Sequence, residues 1–189
     1  NLGILYKDKG MIDEAIHEFI VVTTLRPDDA ETRILLAGLY EHRNDKAFAI
    51  KELTEAARLR PNDVAVRFIL SELLVKEDHL KDAIERLKEI TQVAPDNVEA
   101  HYNLGVVYGK RALRGTADND GYIKEAPAGG AFIDYTQLAI DEFGKVLKLV
   151  PEHAQARYNL GLAYVYAGKV DKAHTEHAAL AKLDPELGH

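Results

Sequence analysis

The chain lacks cysteine entirely. Without thiols it can form no disulfide bond, no thiolate metal site and no cysteine nucleophile. The same absence slightly favours an extracytoplasmic compartment and leaves the localisation otherwise unknown. Any chemistry has to come from other side chains.

An excess of positive charge and a long apolar run are also missing. Acidic residues outnumber basic ones by 31 to 24, which gives a formal net charge of −7. Domains that bind nucleic acid usually carry a basic patch, and anionic membrane surfaces attract basic segments. No apolar run approaches the ~18 residues that span a bilayer. The composition therefore predicts neither nucleic-acid binding nor membrane insertion.

What the chain does contain is a regular spacing of proline. Five of its six prolines are Pro27, Pro61, Pro95, Pro151 and Pro185. Three of the four intervals between them are equal, at about 34 residues, and a fixed period of this length is typical of stacked helical repeats. The interval from Pro95 to Pro151 is longer, which indicates one period plus an insertion.

Each proline ends an apolar stretch and is followed by a polar residue that can begin a helix. Proline has no backbone N–H and crowds the preceding turn, so it stops a helix. Asp29, Asp63 and Asn97 follow the first three prolines and are good N-caps. We therefore expect each unit to consist of a helix, a tight turn, a second helix, a proline and a cap.

Small and large side chains recur in register with the prolines. An alanine stands twelve residues before each one, and a large side chain stands eight residues before the first four, where the fifth unit has His177. Gly3, Gly105 and Gly161 occupy matching positions in first helices, where glycine costs roughly 1 kcal/mol against alanine. We expect a partner helix backbone to pass too close there for a Cβ atom.

The pattern Leu104-Gly105-x-x-Tyr108, the alanine early in the second helix and the closing proline resemble the tetratricopeptide repeat. The resemblance covers essentially the whole chain. It implies an all-α, right-handed superhelical solenoid of five repeats, which forms a single domain of residues 1–189. The expected repeats are 1–29, 30–63, 64–97, 98–153 and 154–187, with an insertion at about 112–133 in the fourth.

In the family that it resembles, first helices line a concave groove that binds peptides, helices or folded proteins. The resemblance implies that aromatic and amide side chains of the fourth and fifth repeats converge in this groove. An alternative is that aliphatic members of the row pack between first helices. The candidate partner-binding residues are Phe68, Glu72, Tyr102, Asn103, Val106, Tyr158, Asn159, Leu162 and Tyr166. The cationic clamp by which some members hold a chaperone's terminal carboxylate is absent.

Three possible small-ligand motifs are weak. Gly105 and Gly109 precede Lys110 with one residue too few between them for a phosphate loop. The run Asp118-Asn119-Asp120-Gly121 could begin a calcium-binding loop, but Pro127 stands at the twelfth loop position, where such loops have a bidentate glutamate. His174 and His177 are only a pair, spaced i,i+3 on the last helix. The sequence predicts no catalytic residue, no cofactor and no metal.

Two surfaces could serve binding besides the groove. The insertion Ala112–Ile133 breaks the helical period, and we interpret it either as a docking element or as a tolerated surface excursion. Near the end of the chain, we expect Ala178, Leu180 and Ala181 to be incompletely covered, which leaves self-association through the last repeat open.

The sequence predicts a non-catalytic scaffold or adaptor that binds a protein or peptide during assembly of a multiprotein complex. The alternative is a repeat region of a larger enzyme or sensor whose catalytic domain lies outside this chain. The start at Asn1, in the middle of an expected helix, favours additional preceding sequence.

Overall fold

The computed structural model describes residues 2–117 and 134–183, and these two ranges contain ten helices and no strand. The predicted all-helical architecture is thus confirmed. The helices are α1 (Leu2–Asp8), α2 (Ile12–Leu25), α3 (Ala30–His42), α4 (Lys46–Leu59), α5 (Val64–Lys76), α6 (Leu80–Val93), α7 (Val98–Ala117), α8 (Tyr135–Leu149), α9 (Ala154–Tyr166) and α10 (Val170–Leu183).

The chain forms two compact units, an N-terminal unit of residues 1–86 and a C-terminal unit of residues 87–189. In the N-terminal unit, α1 packs on α2 and α3 packs on α4, while α2 contacts α3 and α4 contacts α5. In the C-terminal unit, α7 packs on α8 and α9 packs on α10, while α8 contacts α9. We refer to α1/α2, α3/α4, α7/α8 and α9/α10 as helix pairs.

The ends of the helices follow the proline and cap positions. Helices α2, α4, α6 and α8 all end before a proline. The Asp29 carboxylate accepts the Thr32 N–H at 3.0 Å, and the Asn97 Oδ1 accepts the Ala100 N–H at 2.9 Å. This capping bond lowers the pKa of Asp29, since it stabilises the ionised carboxylate. The predicted caps are therefore confirmed.

The core consists of the recurring small and large side chains. All five alanines of the pattern are buried, and so are the four large residues, whereas His177 is exposed. Small residues let neighbouring helices approach, and the large ones fill the space between them. The buried set is Ala15, Ala49, Ala83, Ala139, Ala173, Phe19, Leu53, Leu87 and Phe143.

The three glycines differ from expectation in what lies beside them. A Cβ at Gly3 would lie 2.9 Å from Phe19 Cε1, and one at Gly105 would lie 2.6 Å from Phe143 Cε1. The close neighbour is therefore a phenylalanine ring, not a helix backbone. At Gly161 the nearest atom is Glu176 Cβ at 3.7 Å, an ordinary contact, so the prediction is wrong for this glycine.

Helix α7 is longer than the repeat pattern suggests. It continues without a break through Ala117, beyond the predicted start of the insertion at Ala112. Successive i to i+4 hydrogen bonds favour extension wherever no proline intervenes. The rest of the predicted insertion, with the weak calcium motif, lies outside the described residues.

The last helix is partly covered. Leu180 is only 2% exposed, whereas Ala178 and Ala181 are exposed. The expectation that all three lie at an open end is therefore wrong for Leu180, which is buried.

Candidate partner-binding groove

Several predicted groove residues surround one cavity in the C-terminal unit. The cavity has a volume of about 260 Å³ and is bordered by α7, α8 and α9. Val106 lines it from α7, while Asn159, Leu162 and Tyr166 line it from α9. Four of the nine predicted contact residues thus share one concave site.

The cavity exists because its floor is made of small residues. Gly105 and Gly109 of α7, Ala139 of α8 and Ala163 of α9 leave space above the Phe143 ring. A side chain at Gly109 would meet nothing within 4 Å, so this glycine faces open space. The result is an apolar recess large enough for one side chain of a partner.

The rim is exposed and mostly apolar. Tyr166 is 64% exposed, Leu113 45% and Leu162 40%. Lys110 adds a positive charge, and no Asp or Glu occurs among the described residues that line the cavity. Exposed aromatic and aliphatic side chains around a recess are typical of a protein-interaction site.

Tyr102 has a different environment from the one expected. Its ring stacks on His153 at a centroid distance of 5.1 Å and lies 6.0 Å from the Phe143 ring. The Asn159 Nδ2 donates a hydrogen bond to the Tyr102 hydroxyl oxygen at 3.2 Å. His153 is itself the N-cap of α9, with its Nδ1 accepting the Ala156 N–H. Tyr102 is therefore half-buried and links α7 to α9.

Tyr158 lies at a second depression, of about 310 Å³, between α9 and α10. Its side chain is 44% exposed and borders this depression together with Gly161 and His177. Leu162 lines both cavities. The aromatic and amide residues expected to converge are thus separated: Asn159 and Tyr166 line the first cavity, Tyr158 lines the second, and Tyr102 and Asn103 line neither.

The remaining candidates are placed separately. Asn103 is half-buried on α7 in the C-terminal unit, while Phe68 and Glu72 lie on α5 in the N-terminal unit. Phe68 is half-buried, and Glu72 is exposed and paired with Lys76 at 3.1 Å. The Glu72 carboxylate accepts a hydrogen bond from the Lys76 ammonium group and so raises the pKa of Lys76. This pair is a solvated ion pair on one helix face.

Half-buried ion pairs between the two helices of a pair were missed by the sequence analysis. Arg33 Nη1 lies 2.7 Å from Glu52 Oε2, and its Nη2 donates to the Pro27 carbonyl at 3.0 Å. Arg157 repeats this arrangement with Glu176 at 2.7 Å and the Pro151 carbonyl at 2.7 Å. The signal was available, because each arginine stands at the same short distance after a repeat proline.

In α7/α8 the same position is a histidine. His101 Nε2 lies 2.6 Å from the Pro95 carbonyl oxygen, and its Nδ1 lies 2.6 Å from Glu142 Oε2. Lys145 Nζ donates to the other Glu142 oxygen at 2.8 Å. A carbonyl oxygen only accepts, so Nε2 is the donor to Pro95, and Nδ1 faces the Glu142 carboxylate. His101 thus takes the position that arginine has in the other two helix pairs, with a shorter side chain.

The ionisable side chains near the groove have structural roles. Burial, with a smaller effect of Glu142, raises the pKa of Tyr108 to about 12, which keeps this phenol neutral. His174 and His177 acquire no third ligand, since the described residues contain no group of three or more His, Asp or Glu placed to hold a metal. None of the helices in the described ranges is both long and apolar enough to cross a membrane.

Family models described as tetratricopeptide repeat match the chain in two sets of residues. One covers residues 47–105, and the other covers residues 1–64 and 136–186. Together they include most of the chain. They cover the α8 and α9 residues that line the cavity, but on α7 they end at Gly105. No curated protein matches the sequence significantly.

Solved structures of similar fold include two MamA proteins and YrrB. A crystal structure of MamA is 22% identical with a TM-score of 0.72, covering 98% of this chain and 96% of its own. MamA from Desulfovibrio magneticus RS-1 is 18% identical with a TM-score of 0.69, covering 98% and 93%. YrrB, described as having an unusual peptide-binding site, is 18% identical with a TM-score of 0.72, covering 100% and 87%. At these identities the likeness concerns the fold.

Proposed function

Because the chain belongs to the tetratricopeptide repeat family, as its residue pattern predicts, we propose that it is a non-catalytic scaffold that binds a protein or peptide partner. The observation that carries this proposal is the apolar recess between α7, α8 and α9, whose rim exposes Leu113, Leu162 and Tyr166. The similarity to YrrB, a protein described as peptide-binding, supports the proposal at the level of fold.

Binding at this recess would combine an apolar anchor with polar fixation. An aliphatic or aromatic side chain of the partner would enter the space beside Gly109 and above the Phe143 ring and displace water from apolar walls. The Asn159 amide, already oriented by its bond to Tyr102, would pair with the partner backbone. Such anchors carry most of the energy of an interface, often about 2 kcal/mol or more each.

The nine candidate residues take different parts in this proposal. Val106, Asn159, Leu162 and Tyr166 contact the partner in the recess. Tyr102 is a positioning residue, because its ring and hydroxyl hold α9 against α7. Asn103, Phe68, Glu72 and Tyr158 are proposed as contacts outside the recess.

The test compares partner capture by three forms of the full chain. The variant Tyr166→Ala with Leu113→Ala removes two exposed rim side chains and should preserve the fold. The matched control is Leu149→Ala with Val150→Ala, two exposed apolar residues at the end of α8, away from the recess lining. We expect the rim variant to bind an identified partner at least tenfold more weakly than the control. Equal affinities of the two variants would refute the groove as the binding site.

A further inference from the structure

The helix pairs α1/α2 and α7/α8 contain the same side-chain arrangement. In each, a phenylalanine of the second helix lies directly on a glycine of the first, Phe19 on Gly3 and Phe143 on Gly105. The ring follows the glycine at the same point of the repeat in both pairs, once the insertion between α7 and α8 is set aside. A missing Cβ thus makes room for an aromatic ring.

In α9/α10 the glycine is present and the ring is absent. Gly161 matches Gly105, and His177 stands at the point of the repeat where Phe143 stands. His177 is exposed and does not cover the glycine, whose Cβ position has its nearest neighbour 3.7 Å away. The space that a ring fills in the other two pairs is open here.

This open space is the depression of about 310 Å³ between α9 and α10, which we call the Gly161 slot. Its walls are largely apolar, with Tyr158, Leu162 and Val165 from α9 and Ala173 and Leu180 from α10. Val165 is 57% exposed, so the slot is accessible from solvent. An apolar recess of this size leaves its lining atoms without packing partners.

The polar side chains that line the slot are hydrogen-bond donors, and Glu176 lies beside it, with its Cβ 3.7 Å from the Cβ position of Gly161. Arg157, His174 and His177 line the slot, and no Asp or Glu occurs among the described lining residues. Arg157 is engaged by Glu176 and the Pro151 carbonyl, whereas both histidines are exposed and available. Imidazole N–H groups donate to carboxylates, and the attraction increases when the ring is protonated. The two exposed histidines therefore offer donors to the carboxylates of an acidic ligand.

We propose that the Gly161 slot binds an aromatic side chain of a partner protein, flanked in the partner's sequence by acidic residues. The ring occupies the place that Phe143 occupies above Gly105, and the carboxylates face His174 and His177. The slot adds a second site to the proposed scaffold function, and it shares only Leu162 with the recess between α7, α8 and α9.

The experiment titrates short peptides into the full ¹⁵N-labelled chain and follows amide shifts. The probes are acetyl-Asp-Phe-Asp-amide, the same peptide with Leu in place of Phe, and acetyl-Lys-Phe-Lys-amide. We expect the acidic Phe peptide to shift Gly161, Val165 and Ala173 and to bind at least fivefold more tightly than either of the others. Equal binding of the Leu peptide would overturn the aromatic specificity, and equal binding of the Lys peptide would overturn the acidic one.

Two variants test the location. His177→Phe places a ring of the chain itself in the slot. It should therefore reduce binding of the acidic Phe peptide at least tenfold and raise the melting temperature. Thr175→Phe adds the same ring at an exposed position of α10 that does not line the slot, and it should bind as the unchanged chain does. Undiminished binding by His177→Phe would refute the proposal. Gly161→Leu, which fills the slot from α9, gives the same test if His177→Phe does not fold.

The outcome separates this inference from the groove. If the slot is wrong, the peptides leave the Gly161 region unshifted while Tyr166→Ala with Leu113→Ala still weakens partner capture. If the groove is wrong, capture is unaffected by that variant while the slot peptides still bind. A change from dimer to monomer on His177→Phe, measured by sedimentation, would show a second copy of the chain as the occupant and overturn a separate partner.

Discussion

The helix pairs α7/α8 and α9/α10 have the same register of glycine, alanine and cap but differ in how they are filled. Gly105 is covered by the Phe143 ring, whereas Gly161 is uncovered because His177 turns to solvent. The cross-helix pair is the buried His101 with Glu142 in the first case and the half-buried Arg157 with Glu176 in the second. One side chain thus decides whether the same backbone arrangement is a closed core or an open recess.

The difference also shows how a binding recess can form in a chain of packed helix pairs. A packed interior has few voids larger than a water molecule, so a recess has to be created by removing a side chain. In α7/α8 the recess lies above the Phe143 ring, where Gly109 has no side chain to fill it. In α9/α10 the recess lies directly on Gly161. The four predictions below test this comparison, from the largest expected effect to the smallest.

The largest effect is expected from opening α7/α8. Phe143→Ala should lower the free energy of unfolding by about 3–5 kcal/mol, since it removes a buried ring and leaves a cavity. His177→Ala, the equivalent change in α9/α10, should alter it by less than about 0.5 kcal/mol, as for exposed residues generally. Urea unfolding followed by circular dichroism measures both. Similar costs for the two would show that His177 is packed after all.

The next effect concerns the cross-helix pairs. Glu142→Ala should cost about 3 kcal/mol, because it leaves the buried His101 Nδ1 without its partner. Glu176→Ala should cost less, since the Arg157 side chain is 17% exposed and the His101 side chain only 7%. The same urea titration ranks the two variants. If Glu176→Ala costs more than Glu142→Ala, the Arg157–Glu176 pair contributes more to stability than the His101–Glu142 pair.

Glycine replacement should have opposite signs in the two pairs. Gly105→Ala should destabilise by about 1–3 kcal/mol, because its Cβ would overlap the Phe143 ring. Gly161→Ala should stabilise by about 0.5–1 kcal/mol, since alanine is the better helix former and nothing obstructs its methyl group. Melting temperatures give both signs directly. Destabilisation by Gly161→Ala would indicate that the slot is closed in solution.

The smallest effect involves the tyrosine at the same position of α7 and α9. Burial raises the pKa of Tyr108 to about 12 and raises that of the half-buried Tyr164 as well. The ordinary tyrosine pKa is about 10, so the folded state holds this proton more tightly and stability falls as pH rises above 10. At pH 11 the loss due to Tyr108 should be about 1 kcal/mol.

Tyr108→Phe should remove this alkaline loss, and Tyr164→Phe should remove less of it. The measurement is urea unfolding at pH 9 and pH 11 for both variants and the unchanged chain. Ultraviolet titration should detect ionisation of Tyr164 before Tyr108. If Tyr108 ionised first, its environment in solution would be the more open of the two.

Much of the fold was predictable because it depends on neighbours within a few residues. Prolines end α2, α4, α6 and α8, and Asp29 and Asn97 cap the helices that follow. Burial of Ala15 and Phe19 and of their counterparts followed from the period alone. The extension of α7 to Ala117 was not predicted, because the pattern marks where a repeat ends and not where a helix continues.

The candidate site was predicted only in part. The period indicated which face of each first helix is equivalent, and it brought Val106, Asn159, Leu162 and Tyr166 to one recess. It could not show that Tyr102 is stacked on His153, because that contact joins residues far apart in the sequence through side-chain orientation. The position of Tyr158 on the other side of α9 was likewise a matter of tertiary packing.

The sequence by itself determined the family, the helical composition, the caps and the buried alanine row, since proline geometry, capping and periodicity act locally along the chain. Only the tertiary structure decided that Gly105 is covered and Gly161 is open. It also decided that His101 and Glu142 form a buried pair and that α9 has a recess on each side. These outcomes depend on the size and direction of side chains from different helices, and on whether each fills the space its neighbour leaves.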